Sequence, residues 1–196
     1  MRLLPLPLRR LIATLVLLAS GSACVVSTET IVPESAATFD ERLVGAWAET
    51  GGTDTAVVAR GADGAYTVSY TTNDGTGRFA ARLGRLGDRV VLDAWPTPQE
   101  REMPDPYATT LIGAHVLMAV DLGADELRIA LLEPDSLRKA LEAGRVRLPW
   151  SLERNRIVLR GTTAELRAAL APWIAQPGAL DEGSTFRRIG PRAPAR

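Results

Sequence analysis

The chain has 196 residues, with 23 Lys and Arg balanced by 23 Asp and Glu, one His and one Cys. That length suffices for one domain with a substantial core, and the even charge argues against nucleic-acid binding, which requires a basic face. One Cys excludes a disulfide framework, and a single His beside it leaves too few soft ligands for a zinc or copper site.

Arg2, Arg9 and Arg10 form a basic start, and Leu11 to Ala19 reads "LIATLVLLA", without charge. Small residues, "SGSA", then lead to Cys24. This is the plan of a signal peptide, with an apolar run well short of the ~20 residues of a permanent membrane helix. The join "GSAC" resembles a bacterial lipobox, with Gly21 where Leu is more usual. The resemblance implies that residues 1–23 are removed and that Cys24 becomes a lipidated first residue. Ordinary cleavage after "GSA" is the alternative. Acyl chains on one residue anchor stably, since burial contributes roughly 0.8 kcal/mol per CH₂. In the lipoprotein sorting pattern an Asp after the Cys retains the protein at the inner membrane. Val25 stands there instead, which implies an outer-membrane anchor facing the periplasm.

Residues 24–38, small and polar with one proline, read as a tether. "FDERLVG" reads as one helical turn, and a run of short strands follows: "VGAWAE", "DTAVVAR" and "AYTVSYT". The last alternates strictly, with Tyr66, Val68 and Tyr70 on one face. "GRFAARL" places Phe79, Ala81 and Leu83 on one face and Arg78 and Arg82 on the other. Leu86 falls on the arginine face, so a bulge is expected at Gly84. "RVVLDAW", a proline-rich loop over 96–107, "TLIGAHVLMAVDL" and "ELRIALLE" continue the series. Short turns at nearly every joint require antiparallel neighbours. Two helices are then expected, "EPDSLRKALEAG" and "TTAELRAALAPWIAQ", the second with Thr162 and Glu165 spaced as a capping box and Pro172 as a kink or early stop. "RIVLR" between them and "STFRRI" after them read as strands, and 191–196 as a disordered tail.

An antiparallel meander whose first strand carries Gly45-Ala46-Trp47 resembles the calycin, or lipocalin-like, pattern. The resemblance implies that Trp47 packs across the closed end of a barrel. "LVGAW", "RVVLDAWP", "AHVLMAVDLGADELRIALLEPDSLRKAL" and "LRGTTAELRAAL" also resemble a broad group of small bacterial lipoproteins. That implies a fold and an anchor but no particular activity. The expected fold is mainly β, an antiparallel up-and-down barrel or strongly curled sheet with two late helices packed against it. One domain, 39–190, follows the tether.

The candidate chemistry is sparse. There is no P-loop, dinucleotide fingerprint, nucleophile elbow or calcium loop; neither a cofactor nor a metal is expected. His115 is the one side chain that titrates near neutrality by default. If its strand pairs with the one before it, Asp93 orients it. That pair reads either as a polar group inside a cup or as a mutually satisfied structural pair, and the structural reading is favoured. Tyr66, Tyr70, Trp47, Phe79 and Trp95 are candidates to line an apolar cavity. The expected role is binding, of a small apolar ligand or an envelope protein partner. The rival is a structural or assembly subunit with a filled barrel, and an enzyme using His115 comes third.

Overall fold

The computed structural model describes residues 24–97 and 113–190. The expected signal segment, most of the proline-rich loop, the front of the strand placed at 110–122 and the tail lie outside the described residues. In chain order the strands are β1 (Cys24–Ser27), β2 (Ala37–Thr38), β3 (Gly45–Glu49), β4 (Thr55–Arg60), β5 (Tyr66–Thr72), β6 (Gly75–Leu86), β7 (Arg89–Pro96), β8 (Val116–Leu122) and β9 (Glu126–Leu131). Helix α1 (Pro134–Glu142), β10 (Trp150–Glu153), β11 (Arg156–Leu159), α2 (Thr163–Ile174) and β12 (Ser184–Arg188) follow.

Strands β3 to β9 form an antiparallel meander, and β12 inserts between β9 and β3. Pairing of β6 with β7 completes the ring, from Phe79 opposite Pro96 to Leu86 opposite Arg89. The result is a closed eight-stranded antiparallel barrel, and closure removes the exposed sheet edges. β2 adds to the side of β6 as a short flap. Outward positions such as Thr67, Ser69, Thr71 and Arg78 are polar, while Val58, Leu83, Leu92, Val120, Leu127 and Phe186 share an apolar inner cluster. This is the reverse of the apolar-out pattern of a membrane-spanning barrel. Among the described residues, no helix is long and apolar enough to cross a membrane.

Between β9 and β12 the chain leaves the barrel and builds a second layer. Each helix has local cause. Glu133 accepts the amides of Asp135 and Ser136 to start α1, with Pro134 in the first turn, and Leu137, Ala140 and Leu141 are its buried stripe. Thr162 and Glu165 form the expected capping box of α2. Pro172 falls in the last turn of α2, and the helix ends at Ile174. Strands β1, β11 and β10 form a small separate sheet, β1 parallel to β11. These elements bury a second core against the outer face of the barrel wall, where Leu86, Val91, Leu117 and Ala119 meet Ile157, Leu159, Leu166 and Leu170. β7 and β8 are thus covered on both sides, which is why they read as near-continuous apolar runs.

Two expectations are corrected. No bulge interrupts β6 at Gly84: the register against β7 is continuous through Arg82, Leu83, Gly84 and Arg85. Leu86 shares the arginine face because the second layer buries that face locally. Gly84 is required there for another reason, since a Cβ would lie 2.7 Å from a Val32 methyl and 2.9 Å from the Ala36 carbonyl oxygen. The second correction is that residues 24–38 are not a free tether. β1 starts at Cys24 and is zipped to β11, Ile31 and Val32 are buried, and β2 is bound to β6.

One end of the barrel is closed by Trp47, which is fully buried and donates its indole N–H to the Leu43 carbonyl at 3.0 Å. Leu43 belongs to the short 3₁₀ turn Glu41–Leu43, the helical turn expected from "FDERLVG". Arg188, from the last strand, lies 4.2 Å over the Trp47 ring and donates to the carbonyls of Val44 and Arg42. Gly45 permits this: its φ is +145°, and a Cβ would lie 2.3 Å from the Arg188 Nη1. The Gly of Gly-x-Trp is therefore the space through which the last strand's guanidinium reaches the turn. Trp47→Ala is expected to lower stability by roughly 3–5 kcal/mol, and Gly45→Val to destabilise by blocking Arg188. Chemical denaturation checks both; a Trp47→Ala midpoint equal to wild type would contradict this account.

Candidate functional site

Inside the barrel is a cavity of about 660 Å³, within the range of small-molecule sites. Strand alternation creates it. Val58, Val68, Tyr70, Phe79, Leu92, Ala94, Met118 and Ile129 all point inward, and small side chains such as Ala94 and Ala56 leave the interior unfilled. Its lining is overwhelmingly apolar, and the polar residues gather at one end, in Asp181, Glu182 and Gly183 just before β12 and Ser184 at its start.

The rim has its own hydrogen bonds. Tyr70 donates its phenol to Asp54 Oδ2 in the β3–β4 turn. Ser184 donates its hydroxyl to Glu49 Oε1 at 2.7 Å. Burial, the Asp54 hydrogen bond and the negative charges of Asp54 and Glu49 push the Tyr70 phenol well above its ordinary range, so it stays a neutral donor. Asp181 accepts from the amides of Leu131 and Gly183, which fixes the chain as it re-enters the barrel.

A second polar cluster lies on the outer face of the wall, under the N-terminal segment. Asp93 is fully buried. Its Oδ1 accepts from His115 Nδ1 at 2.9 Å, and its Oδ2 from the Thr30 hydroxyl at 2.7 Å, the Ile31 amide at 2.7 Å and the Val32 amide at 2.9 Å. A carboxylate can only accept, so His115 carries its proton on Nδ1. Burial alone would push the Asp93 carboxyl up; the bonds from His115, Val32 and Thr30 overcome that and hold it below the usual carboxylate range. Arg82 stands directly opposite Asp93 in register, with its guanidinium 3.8 Å from Glu34 and 5.2 Å from the Trp95 ring.

No protein family, curated protein or solved structure matches the chain.

The structure brings Asp93 and His115 together on the outside of the lumen, although Asp93 stands opposite Leu117 in the ladder and His115, bridged to Ser27, reaches it from two residues along the same face. Neither lines the cup, and Trp95, 5.3 Å from the His115 ring, lies with them. Tyr70 and Phe79 do line the cavity. Tyr66 and Trp47 belong to the inner cluster at the closed end and not to the cavity wall. The Tyr66 hydroxyl both accepts from the Asp40 amide and donates to the Asp40 carbonyl, and its ring stacks on Phe39 at 4.7 Å. Sequence reasoning missed the rim residues Glu49, Asp54 and Ser184, because nothing local marks which strand ends share a barrel mouth. It also missed the amides of residues 31 and 32 as partners of Asp93. Among the described residues, no group of three His, Cys, Asp or Glu side chains is arranged to hold a metal ion.

His115→Ala is expected to cost about 1.5–3 kcal/mol, the range for a hydrogen bond to a charged group, since Asp93 keeps its other donors. Asp93→Asn should cost more, because one carbonyl oxygen cannot serve both sides of the cluster. A carboxyl whose folded pKa lies below its unfolded value of about 3.9 stabilises at neutral pH and loses that contribution as pH falls through the folded value. The gap in unfolding free energy between wild type and Asp93→Asn should therefore be constant above about pH 5 and shrink below about pH 4. Urea melts across that range test it; a gap that widens in acid would contradict the assignment.

Proposed function

We propose that this chain is a lipid-anchored protein of the bacterial envelope whose barrel binds a small apolar ligand without catalysis. The observation that carries the reading is the hollow interior. A barrel serving only as a scaffold gains stability from a filled core, since empty space forfeits packing contacts, whereas a 660 Å³ apolar lumen with its polar groups at one end has the form of a ligand site. The buried Trp47 under Arg188 fits the closed end of a lipocalin-like barrel, which the Gly-x-Trp resemblance implied. The His115–Asp93 pair supports a structural role. Ser27 neighbours His115 through a backbone bridge, yet its hydroxyl donates to the Glu29 carbonyl, so it is committed elsewhere as a nucleophile.

The anchor rests on "GSAC" and on where Cys24 sits. Since β1 begins at Cys24 itself, acyl chains there would hold the domain against the bilayer with no intervening linker. A periplasm-facing outer-membrane location follows from the same sorting pattern, and a protein partner in the envelope is compatible with it.

Two experiments test the reading. Native mass spectrometry of the extracted protein should show a small-molecule adduct that is lost in Val68→Trp, which fills the lumen; an adduct that survives the filled lumen would place the ligand elsewhere. Cys24→Ser should move the folded protein from the membrane fraction to the soluble fraction, and retention on the membrane in high salt would refute lipid attachment.

A further inference from the structure

The lumen has an electrical polarity that its apolar walls do not require. No Lys or Arg is among the described residues that line it, and its ionisable lining residues other than Tyr70 are Asp181 and Glu182. Glu49 and Asp54 join them at the same rim through Ser184 and Tyr70. None of these four carboxylates has an ion-pair partner among the described residues. Each of the two rim hydrogen bonds engages only one oxygen of its carboxylate, which leaves acceptor capacity at the mouth. Elsewhere on the chain Asp and Glu are met by arginines, as in Arg42–Asp40, Arg60–Glu41 and Arg160–Glu153. The rim is thus a place where acidic side chains border an apolar cavity; among the described residues the guanidinium beside it is that of Arg128, which is engaged with the Glu182 carbonyl and not with a carboxylate of the rim.

We propose that the lumen selects amphiphiles that carry a cationic head, of the alkylammonium class, over fatty acids and other anionic amphiphiles. This rests on the ligand-binding reading above and adds the head-group chemistry to it. The alkyl body fills the space between Val68, Met118 and the opposite wall. The ammonium stays at the mouth, where it donates to Glu49 and Asp54 and sits in the field of Asp181 and Glu182. A carboxylate head in the same pose meets four like charges across a low-dielectric boundary, where opposition is costlier than in water.

Calorimetric titration of the purified full chain with dodecylamine, dodecanol and dodecanoate, each below its aggregation concentration, tests this. An alkylamine titrates near the lysine value of about 10.4 and is cationic at neutral pH. The amine is expected to bind at least about tenfold tighter than dodecanoate at low ionic strength, with dodecanol between them, and the ratio should shrink as salt screens the exposed rim. In the double variant Glu49→Gln/Asp54→Asn, checked for folding by its melt, the amine-to-carboxylate ratio should fall toward one. Dodecanoate binding as tightly as the amine, or a ratio indifferent to salt, overturns the proposal. Dodecanol binding with no head-group preference overturns the selectivity alone, whereas a lumen that takes none of the three overturns the ligand-binding reading with it.

Discussion

The two layers of this protein are joined by one buried carboxylate. Asp93 lies in the barrel wall with no exposure to water, a position that would be strongly unfavourable for an unpaired charge. What makes it tolerable is complete occupation: His115 on one oxygen, Thr30, Ile31 and Val32 on the other. The backbone of residues 30–32 is thereby held on the barrel by its amides. Its carbonyls face the other way, and α2 takes them: Thr163 donates to the Thr30 carbonyl and Arg167 to that of Ile31, each at 2.9 Å. The N-terminal segment is the middle course of a sandwich, with barrel on one side and helix on the other.

This arrangement separates stability from the cavity. The interlayer core gathers the larger cluster of fully buried side chains, among them Ile31, Leu137, Ile157, Leu166 and Leu170. The barrel is tied at one end by Trp47, Arg188 and Tyr66, and from outside by the second layer against β6, β7 and β8. With its wall supported on both flanks, the interior between Val68, Met118 and Ile129 need not be filled. A hollow barrel of short strands is expensive by itself, because lining atoms lose packing partners; here the outer core offsets that loss. The polar groups of the molecule divide accordingly. Asp93, His115 and Thr30 in the wall are satisfied by one another and hold structure, while Glu49, Asp54, Tyr70 and Ser184 at the mouth are half-buried.

Local signals located most of the elements. The strict alternation of "AYTVSYT", the Thr162–Glu165 capping box and Pro134 in the first turn of α1 each act within a few residues, so strands and helices were legible where they fall. β1, β2 and β10 were not. They are short, and each exists because a distant partner supplies its hydrogen bonds: β11 for β1 and β10, β6 for β2. The apparent phase slip at Leu86 shows the same limit. Alternation assumes that one face of a strand is buried throughout, and a second layer that covers part of the other face breaks the assumption without breaking the strand.

The candidate site divides in the same way. The sequence suggested that Asp93 and His115 could meet if their strands paired; the pairing forms, with Asp93 opposite Leu117 and His115 two residues along on the same face. Trp47 was singled out by the Gly-x-Trp resemblance; that the glycine is needed because a Cβ would meet Arg188 only the tertiary structure shows. Which side of the wall the Asp93–His115 pair occupies was decided by the tertiary structure alone. A strand's period of two separates its faces but does not say which face becomes lumen, and where both faces are buried hydrophobicity no longer distinguishes them. The rim is likewise completed by closure. The hairpins of β3, β4 and β5 bring Glu49, Asp54 and Tyr70 to one end, and Ser184 joins them only when β12 enters between β9 and β3 to complete the barrel.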